Sequence, residues 1–221
     1  MSKLKFIDAR NFLAPGFPLA EIVRHLESGG VIIHPTETVY GFGGILDRDV
    51  TNKITCLKRR TLGKPMLLLV PDRKSIEALR WTPEALMLAD AFWPGPLTIV
   101  LSDTDADYPV SVRNGEGGVA VRISSHPVVR TLMNELAGPM VSTSANISGD
   151  RPLLDTTDIR KKKYFSLEQD LMVLNMGRLP HSLPSTVIDC SRKPVEILRE
   201  GAIPFREIER ILPGVTVNVH T

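Results

Sequence analysis

The stretch that most constrains the fold is Gly30-Val31-Ile32-Ile33-His34-Pro35-Thr36-Glu37-Thr38-Val39-Tyr40-Gly41. Val31-Ile32-Ile33 follows Gly29-Gly30 as an unbroken β-branched run, which predicts a buried strand leaving a turn. Pro35 removes a backbone donor and fixes φ, so the strand stops there. The polar segment Thr36-Glu37-Thr38 follows, closed by Gly41 and by Gly43-Gly44. Hydroxyls and a carboxylate at the end of a buried strand lie where open α/β sheets bind ligands. An ordinary strand-to-helix turn, its polar residues capping the next helix, is the competing reading.

The rest of the chain interleaves apolar runs with amphipathic segments. Leu19, Ile22, Val23 and Leu26 recur at helical spacing ahead of Gly29-Gly30. Val50, Ile54 and Leu57 mark a second helix, capped by Asp49 or Thr51. Helical segments are expected around Lys74 to Leu79, Pro83 to Phe92 and Pro204 to Leu212. Another opens at Pro127 on the stripe Val128, Val129, Leu132, Met133 and Leu136. Phe6 to Asp8 reads as a short strand or an ordered arm, and strands are expected at Met66 to Val70, Leu97 to Leu101, Val119 to Ile123, Leu171 to Leu174, Thr186 to Ile188 and Val195 to Leu198. Trp93-Pro94-Gly95-Pro96 is a rigid turn, and Ser102 to Gly118 a surface loop. Residues 150–170, with Lys161-Lys162-Lys163, read as a solvated face, and the residues from Val215 as a mobile tail. No repeat, low-complexity tract or linker interrupts the chain. The expectation is one α/β domain over residues 1–221, with a mixed sheet and flanking helices.

Composition narrows the function classes. A net charge of +2 over 221 residues is too small to make nucleic-acid binding the default. The two cysteines, Cys56 and Cys190, match no zinc spacing and define no disulfide framework, which fits a reducing compartment. Met1 to Arg10 lacks the apolar core of a signal peptide, and no stretch approaches the roughly 20 apolar residues of a membrane span. A cytoplasmic protein without membrane contact is the expectation. Neither a Gly-x-x-x-x-Gly-Lys-Ser/Thr loop nor a G-x-G-x-x-G turn is present. No histidine pair has metal-ligand spacing, so no protein metal site is expected, and no catalytic triad stands out. His34 and His126 each precede a proline and read as turn residues.

Several polar islands follow predicted strands: Thr36-Glu37-Thr38, Ser142 to Asn146 after Met140-Val141, and Arg199. Arg122 lies within a strand, where a guanidinium needs a carboxylate or phosphate partner. An internal ion pair and a bound anion are both open. Lys58, Arg59, Arg60 and Lys64 place four cations within seven residues, a polyphosphate site or a basic patch at a helix C-terminus. Ser142-Thr143-Ser144-Ala145-Asn146 offers three hydroxyls and an amide, a cradle for an anion or a capping turn. The residues alone define an α/β domain with a cationic, hydroxyl-rich cleft suited to anionic ligands.

Taken together and in order, these pieces resemble the YrdC-domain family. The matching segments are Pro35-Thr36-Glu37-Thr38-Val39-Tyr40-Gly41, Lys58-x-Arg60, Trp93-Pro94-Gly95-Pro96-Leu97-Thr98, Val121-Arg122, Ser144-Ala145-Asn146, Pro184-Ser185-Thr186-Val187-Ile188 and Leu198-Arg199-x-Gly201, spanning about residues 18 to 203. Residues 204–221 would be a C-terminal helix and tail, and the chain reads as the short form of the family.

The resemblance implies a YrdC-like twisted mixed sheet around a large basic cavity. It implies a nucleotidyltransferase, L-threonylcarbamoyladenylate synthase. L-threonine, bicarbonate and ATP, with Mg²⁺ accompanying the ATP, would give the adenylate and pyrophosphate for N6-threonylcarbamoyladenosine formation in tRNA. Thr36, Arg122, Ser142 and Ser185 would hold threonine, and Lys58, Arg60, Lys64, Ser144, Asn146 and Arg199 the ATP. Lys58, Arg60, Ser144 and Asn146 would form the reaction centre. Expected partners are tRNA or double-stranded RNA and a downstream threonylcarbamoyl transferase complex. The chain departs from many members at Lys64, where they carry Asn. It departs from some at Leu69, where they carry a histidine that contacts threonine, and at Gly118, whose counterpart in some contacts the nucleotide. The small hydroxyl residue usual after Pro152 is also missing. The competing functions are an RNA-binding module of the same fold and a paralogous adenylating enzyme with another amine substrate.

Overall fold

Pro35 ends the first buried strand as its chemistry requires, and β2 runs Val31–His34. The computed structural model describes residues 4–61, 63–136, 138–162 and 171–217. After β1 (Leu4–Asp8), α1 (Leu19–Glu27) and β2 come β3 (Gly41–Ile45), α2 (Arg48–Leu57), β4 (Leu67–Leu69) and a 3₁₀ turn at Lys74–Ile76. Then follow α3 (Pro83–Phe92), β5 (Leu97–Ser102), β6 (Gly118–Arg122), α4 (Pro127–Glu135), β7 (Met140–Ser144) and α5 (Thr157–Lys162). The chain continues through β8 (Leu171–Asn175), β9 (Thr186–Asp189), β10 (Glu196–Arg199), α6 (Phe205–Ile211) and β11 (Thr216–Val217).

Among the described residues the strands form one mixed sheet in the order β1-β8-β2-β3-β7-β4-β6-β5-β9-β10-β11. Strand periodicity sorts its side chains onto two faces. Ile33, Leu68, Val141 and Val173 join the larger core with α2, α3 and α6. Ile32, Leu69, Met140 and Met172, each one residue out of phase, join a second core beneath α1 and α4. Burial on both faces explains the unalternated apolar runs of β2, β4 and β8. On β7 the second face continues from Met140 to Ser142 and Ser144, so one strand supplies core at one end and hydroxyls at the other.

Several local expectations are corrected. Gly41, Gly43 and Gly44 do not close a loop or lead into a helix; they belong to β3, paired with β2 and β7. A Cβ on Gly43 would stand 2.8 Å from His34 Cδ2 and 2.9 Å from Met140 Sδ, so the strand needs glycine where neighbouring side chains cross it. His34 is accordingly a buried strand residue rather than a turn residue. The α2 cap is Asp47, whose carboxylate accepts from Asp49 N at 2.8 Å and Val50 N at 3.1 Å. Ser142 to Ser144 lie inside β7, and Arg122 and Arg199 are the last residues of their strands. In the polar stretch, α5 buries Ile159; Lys163, the last of the lysine run, lies outside the described residues. Thr216 and Val217 of the expected tail pair in parallel with Glu196 and Ile197.

One connection ties the chain after β10 back to the start of β9. Thr186 Oγ1 donates to Ile203 O at 2.6 Å and accepts from Gly201 N at 2.9 Å and Ile203 N at 3.0 Å. The segment after β10 is thereby laid against Pro184 and Ser185, and a Cβ at Gly201 would collide with the Pro184 carbonyl and the Ser185 backbone. Gly201→Ala should therefore destabilise the protein by about 1–3 kcal/mol, as overpacking against rigid backbone does. Gly115→Ala, with open space around it, is the matched control. Thermal unfolding of both variants checks this, with the melting temperature falling by several degrees only for Gly201→Ala.

Candidate active site

The face carrying Ser142 and Ser144 opens into a cavity of about 250 Å³. Seven strands that are consecutive in the sheet, β3-β7-β4-β6-β5-β9-β10, each contribute a side of it. Gly41, Ser142, Thr143, Ser144, Leu67, Ala120, Arg122, Thr98, Val187 and Arg199 are the strand residues that line it, and loops add Thr36, Thr38, Arg60 and Ser185. Three arginines and seven hydroxyl side chains line it, with no carboxylate among the described lining residues. Oriented cations and hydroxyl groups in a partly dehydrated hollow favour an anion.

Arg122 is 4% exposed. Its Nε donates to Gly95 O at 3.1 Å, which gives the Trp93-Pro94-Gly95-Pro96 turn a definite task. Its Nη2 lies 2.7 Å from Glu37 Oε1. That contact is an ion pair out of line for a hydrogen bond, since Nη2 has no directed acceptor among the described residues. Glu37 is itself held, with Ser124 Oγ donating to Oε2 at 2.6 Å and Ser125 N to Oε1 at 3.2 Å. Burial would raise the Glu37 carboxyl, but the Arg122 charge and the Ser124 hydrogen bond outweigh it and hold the group below its ordinary value. Of the two readings open for Arg122 from the sequence, the internal ion pair is therefore realised, while the guanidinium also lines the cavity.

Lys58, at the C-terminal end of α2, is buried and stands behind the cavity wall. Its ammonium donates to Asn146 Oδ1 at 2.9 Å, to Asn146 O at 3.2 Å and to the Ser144 carbonyl. Ser144 Oγ donates to the same Asn146 Oδ1 at 2.6 Å, and Asn146 Nδ2 donates to Ile147 O and Asp150 O. The Ser144-Ala145-Asn146 loop is thus clamped onto α2 by one cation. Burial, reinforced by the neighbouring Arg60 charge, lowers the Lys58 ammonium to about 8. Arg60 itself donates to Thr143 Oγ1 at 3.0 Å and to Pro65 O at 3.1 Å, and burial lowers it too.

At the opposite wall Ser185 is the hub. Its Oγ shares a 2.9 Å hydrogen bond with Thr98 Oγ1 and accepts from Arg199 Nη2 at 3.2 Å; Arg199 also donates twice to the Ser185 carbonyl. Thr36 Oγ1 is occupied by its own turn, accepting from Thr38 N and Val39 N and donating to Val39 O. The capping role foreseen for this polar segment is real, but it caps a turn between strands and not a helix.

Of the site residues expected from the sequence, Thr36, Arg60, Arg122, Ser142, Ser144, Ser185 and Arg199 meet in this one cavity, with Lys58 and Asn146 directly behind Ser144. Lys64 does not join them. It is exposed and lines a neighbouring hollow of about 530 Å³ with Arg48, Thr55 and Ser111. Leu69 is 1% exposed within the core beneath α1 and α4 and does not line the cavity. Gly118 is needed where it stands, since a Cβ would lie 2.7 Å from Val100 Cγ1. Sequence reasoning gave Thr98, which lines the cavity, no role and did not pair Glu37 with Arg122. Thr98 carried a usable signal, being the out-of-phase polar residue in the Leu97–Leu101 run; the Glu37 pairing carried none.

Comparison with known proteins finds relatives over most of the chain. The Sua5/YciO/YrdC family model, described as telomere recombination, matches residues 24–201. The chain is 32% identical over 196 residues to a threonylcarbamoyl-AMP synthase of Pyrococcus abyssi, covering 87% of this chain but only 56% of the relative's length. It is 33% identical over 190 residues to a threonylcarbamoyl-AMP synthase of Vibrio parahaemolyticus, covering 82% of this chain and 97% of that protein. The crystal structure of Pyrococcus abyssi Sua5 complexed with L-threonine superposes with a TM-score of 0.86 at 28% identity, over 98% of this chain and 62% of the other. The fold, the ordered motifs and the match over most of its length place the chain in the Sua5/YciO/YrdC family.

Proposed function

We propose that the chain is an L-threonylcarbamoyladenylate synthase, a nucleotidyltransferase that consumes L-threonine, bicarbonate and ATP and releases pyrophosphate. The observation that carries this reading is the convergence of Arg60, Arg122 and Arg199 with seven hydroxyls on one cavity that no carboxylate among the described residues lines. The names of the Pyrococcus and Vibrio relatives, and the threonine complex of the Pyrococcus protein, support the choice of substrate. The product would feed N6-threonylcarbamoyladenosine formation in tRNA through a transferase complex.

In this reading Arg122, paired along one edge with Glu37, takes the α-carboxylate of threonine, with Thr36, Ser142 and Ser185 around the rest of the amino acid. A cavity of about 250 Å³ holds an amino acid and the reacting end of the triphosphate, and the remainder of the nucleotide extends outside it. Arg60 and Arg199 face the phosphates, Ser144 lines the same wall, and Lys58 with Asn146 fixes its loop. Lys64, on the adjoining hollow, would meet the nucleotide only where it leaves the cavity. Mg²⁺ enters with the triphosphate, whose oxygens suit a hard cation.

The amine and bicarbonate condense to a carbamate with loss of water. A carbamate oxygen then attacks the α-phosphorus and displaces pyrophosphate. No side-chain nucleophile is needed, so holding the reactants in line and stabilising the charge at phosphorus carry the rate.

Pyrophosphate release from ATP and Mg²⁺, with threonine and bicarbonate each omitted in turn, tests the proposal. Release that needs both, with the adenylate detected by mass, is the expected result. Release supported by a different amino acid selects a paralogous adenylating enzyme, and tRNA binding without turnover selects an RNA-binding module. Arg122→Lys keeps the charge but loses the fork, and should raise the half-saturating threonine concentration about 10- to 100-fold while ATP affinity stays within about twofold. Separate titrations of the two ligands read that split. The Lys58 ammonium should hold the ATP site only while charged. ATP affinity should then be level below about pH 8 and fall above it, by at most about tenfold per pH unit. Lys58→Arg, charged throughout, should flatten that limb in the same titration.

A further inference from the structure

His34 is fully buried at the end of β2, and its ring reaches across the glycine strand β3 to Ser142 on β7. In register His34 faces Gly41, and Gly43 faces Ser142. A Cβ on Gly41 would stand 3.1 Å from both His34 Nε2 and Ser142 Oγ, so the glycines leave a slot that the imidazole fills. Both ring nitrogens have partners: Nδ1 lies 3.2 Å from Pro35 O and Nε2 lies 3.1 Å from Ser142 Oγ.

Those partners determine the tautomer. A backbone carbonyl only accepts, so the single proton of the neutral ring belongs on Nδ1, and Nε2 carries the lone pair. The ring is neutral near pH 7, because burial lowers its pKa to about 4, with the Pro35 carbonyl and, more weakly, the Phe42 carbonyl opposing and the His126 and Arg122 charges adding to the shift. Ser142 must then give its only proton to Nε2. Its oxygen, which lines the cavity, faces the ligand with lone pairs alone.

We propose that His34 is a positioning residue that makes Ser142 an obligate hydrogen-bond acceptor for the amino group of the bound amino acid. This rests on the amino-acid reading given above. Ser142 on β7 and Arg122 on β6 occupy the two strands flanking β4, on the order of 10 Å apart. An α-amino acid carries donors on its nitrogen and acceptors on its carboxylate. An acceptor at one end and a guanidinium at the other therefore admit it in a single direction. A serine free to rotate would offer its O–H to either end and would not discriminate.

Two measurements test this. A long-range ¹H–¹⁵N spectrum of histidine-labelled protein at pH 7, with His34 assigned by its loss in His34→Phe, should show Nδ1 protonated and Nε2 bare. A protonated Nε2 overturns the proposal without reference to catalysis. L-threonine and ATP are then titrated separately into the wild type, His34→Phe and His34→Gln. Phenylalanine fills the slot without an acceptor, whereas glutamine can present its carbonyl near the place of Nε2. His34→Phe should weaken threonine about tenfold with ATP affinity within about twofold, and His34→Gln should recover most of the loss. Unchanged threonine affinity in His34→Phe overturns the proposal, and so does an equal loss for ATP, which would mark a purely structural role. A wild type that binds ATP but no threonine overturns the substrate reading and this assignment of the amine with it. The tautomer spectrum tells that failure from a failure of the His34 geometry.

Discussion

The cavity is organised around one buried ion pair at the end of a strand. Arg122 sits 4% exposed on a face whose neighbouring positions are core, and an isolated guanidinium there would be driven out by its own desolvation. Glu37 resolves the conflict without cancelling the site. It approaches one edge of the guanidinium, is itself held by Ser124 and Ser125, and does not line the cavity. The Gly95 carbonyl takes Nε, so two loops and a strand end are tied to a single side chain. Removing either member of such a pair leaves the other charge stranded, a loss of about 3–5 kcal/mol. The pair therefore orients the site and commits the Thr36–Val39 turn to its place beside β6.

A second cation does comparable work on the other wall. Lys58 gathers the carbonyl of Ser144 and both oxygens of Asn146 and lies 6.0 Å from the centroid of the Phe42 ring. Its lowered pKa follows from that burial and from Arg60 beside it. The two walls are linked through the turn between β2 and β3: Ala145 N donates to Tyr40 O, and Tyr40 N to Leu153 O. The Tyr40 hydroxyl bonds to the backbone of Met176 and Gly177. Strands and hydrogen-bonded loops thus hold the hydroxyls and cations of the cavity, the arrangement that favours fixed positioning over rearrangement on binding.

Much of the fold was legible in local pattern. The β-branched run before Pro35, the stripe of Val128, Val129, Leu132 and Met133 behind Pro127, and the proline-rich turn at 93–96 each carry their signal within a few residues. The anionic preference was legible too, because arginine inside an apolar run needs a partner of opposite charge wherever it lies. The misreadings share a cause. Gly41, Gly43 and Gly44 looked like loop residues because glycine is usually a breaker, and only the side chains crossing them from β2 and β7 make glycine necessary in a strand. Ser142 to Ser144 looked like a turn because hydroxyls favour turns, until their pairing with Gly41 to Gly43 is seen.

By itself the sequence determined which segments become strands and helices, the breaks between them and the kinds of charge near the strand ends, since these follow from φ restrictions, periodicity and side-chain chemistry acting over a turn or two. Tertiary structure alone decided which charges meet. Ser124 finds Glu37 across 87 positions, Lys58 finds Ser144 across 86, and His34 finds Ser142 across 108. No local propensity encodes a contact at that separation. It exists because a sheet with the order β2-β3-β7-β4-β6 lays those strand ends side by side, and only then do the desolvation of Arg122, the lowered pKa of Lys58 and the tautomer of His34 have a physical cause.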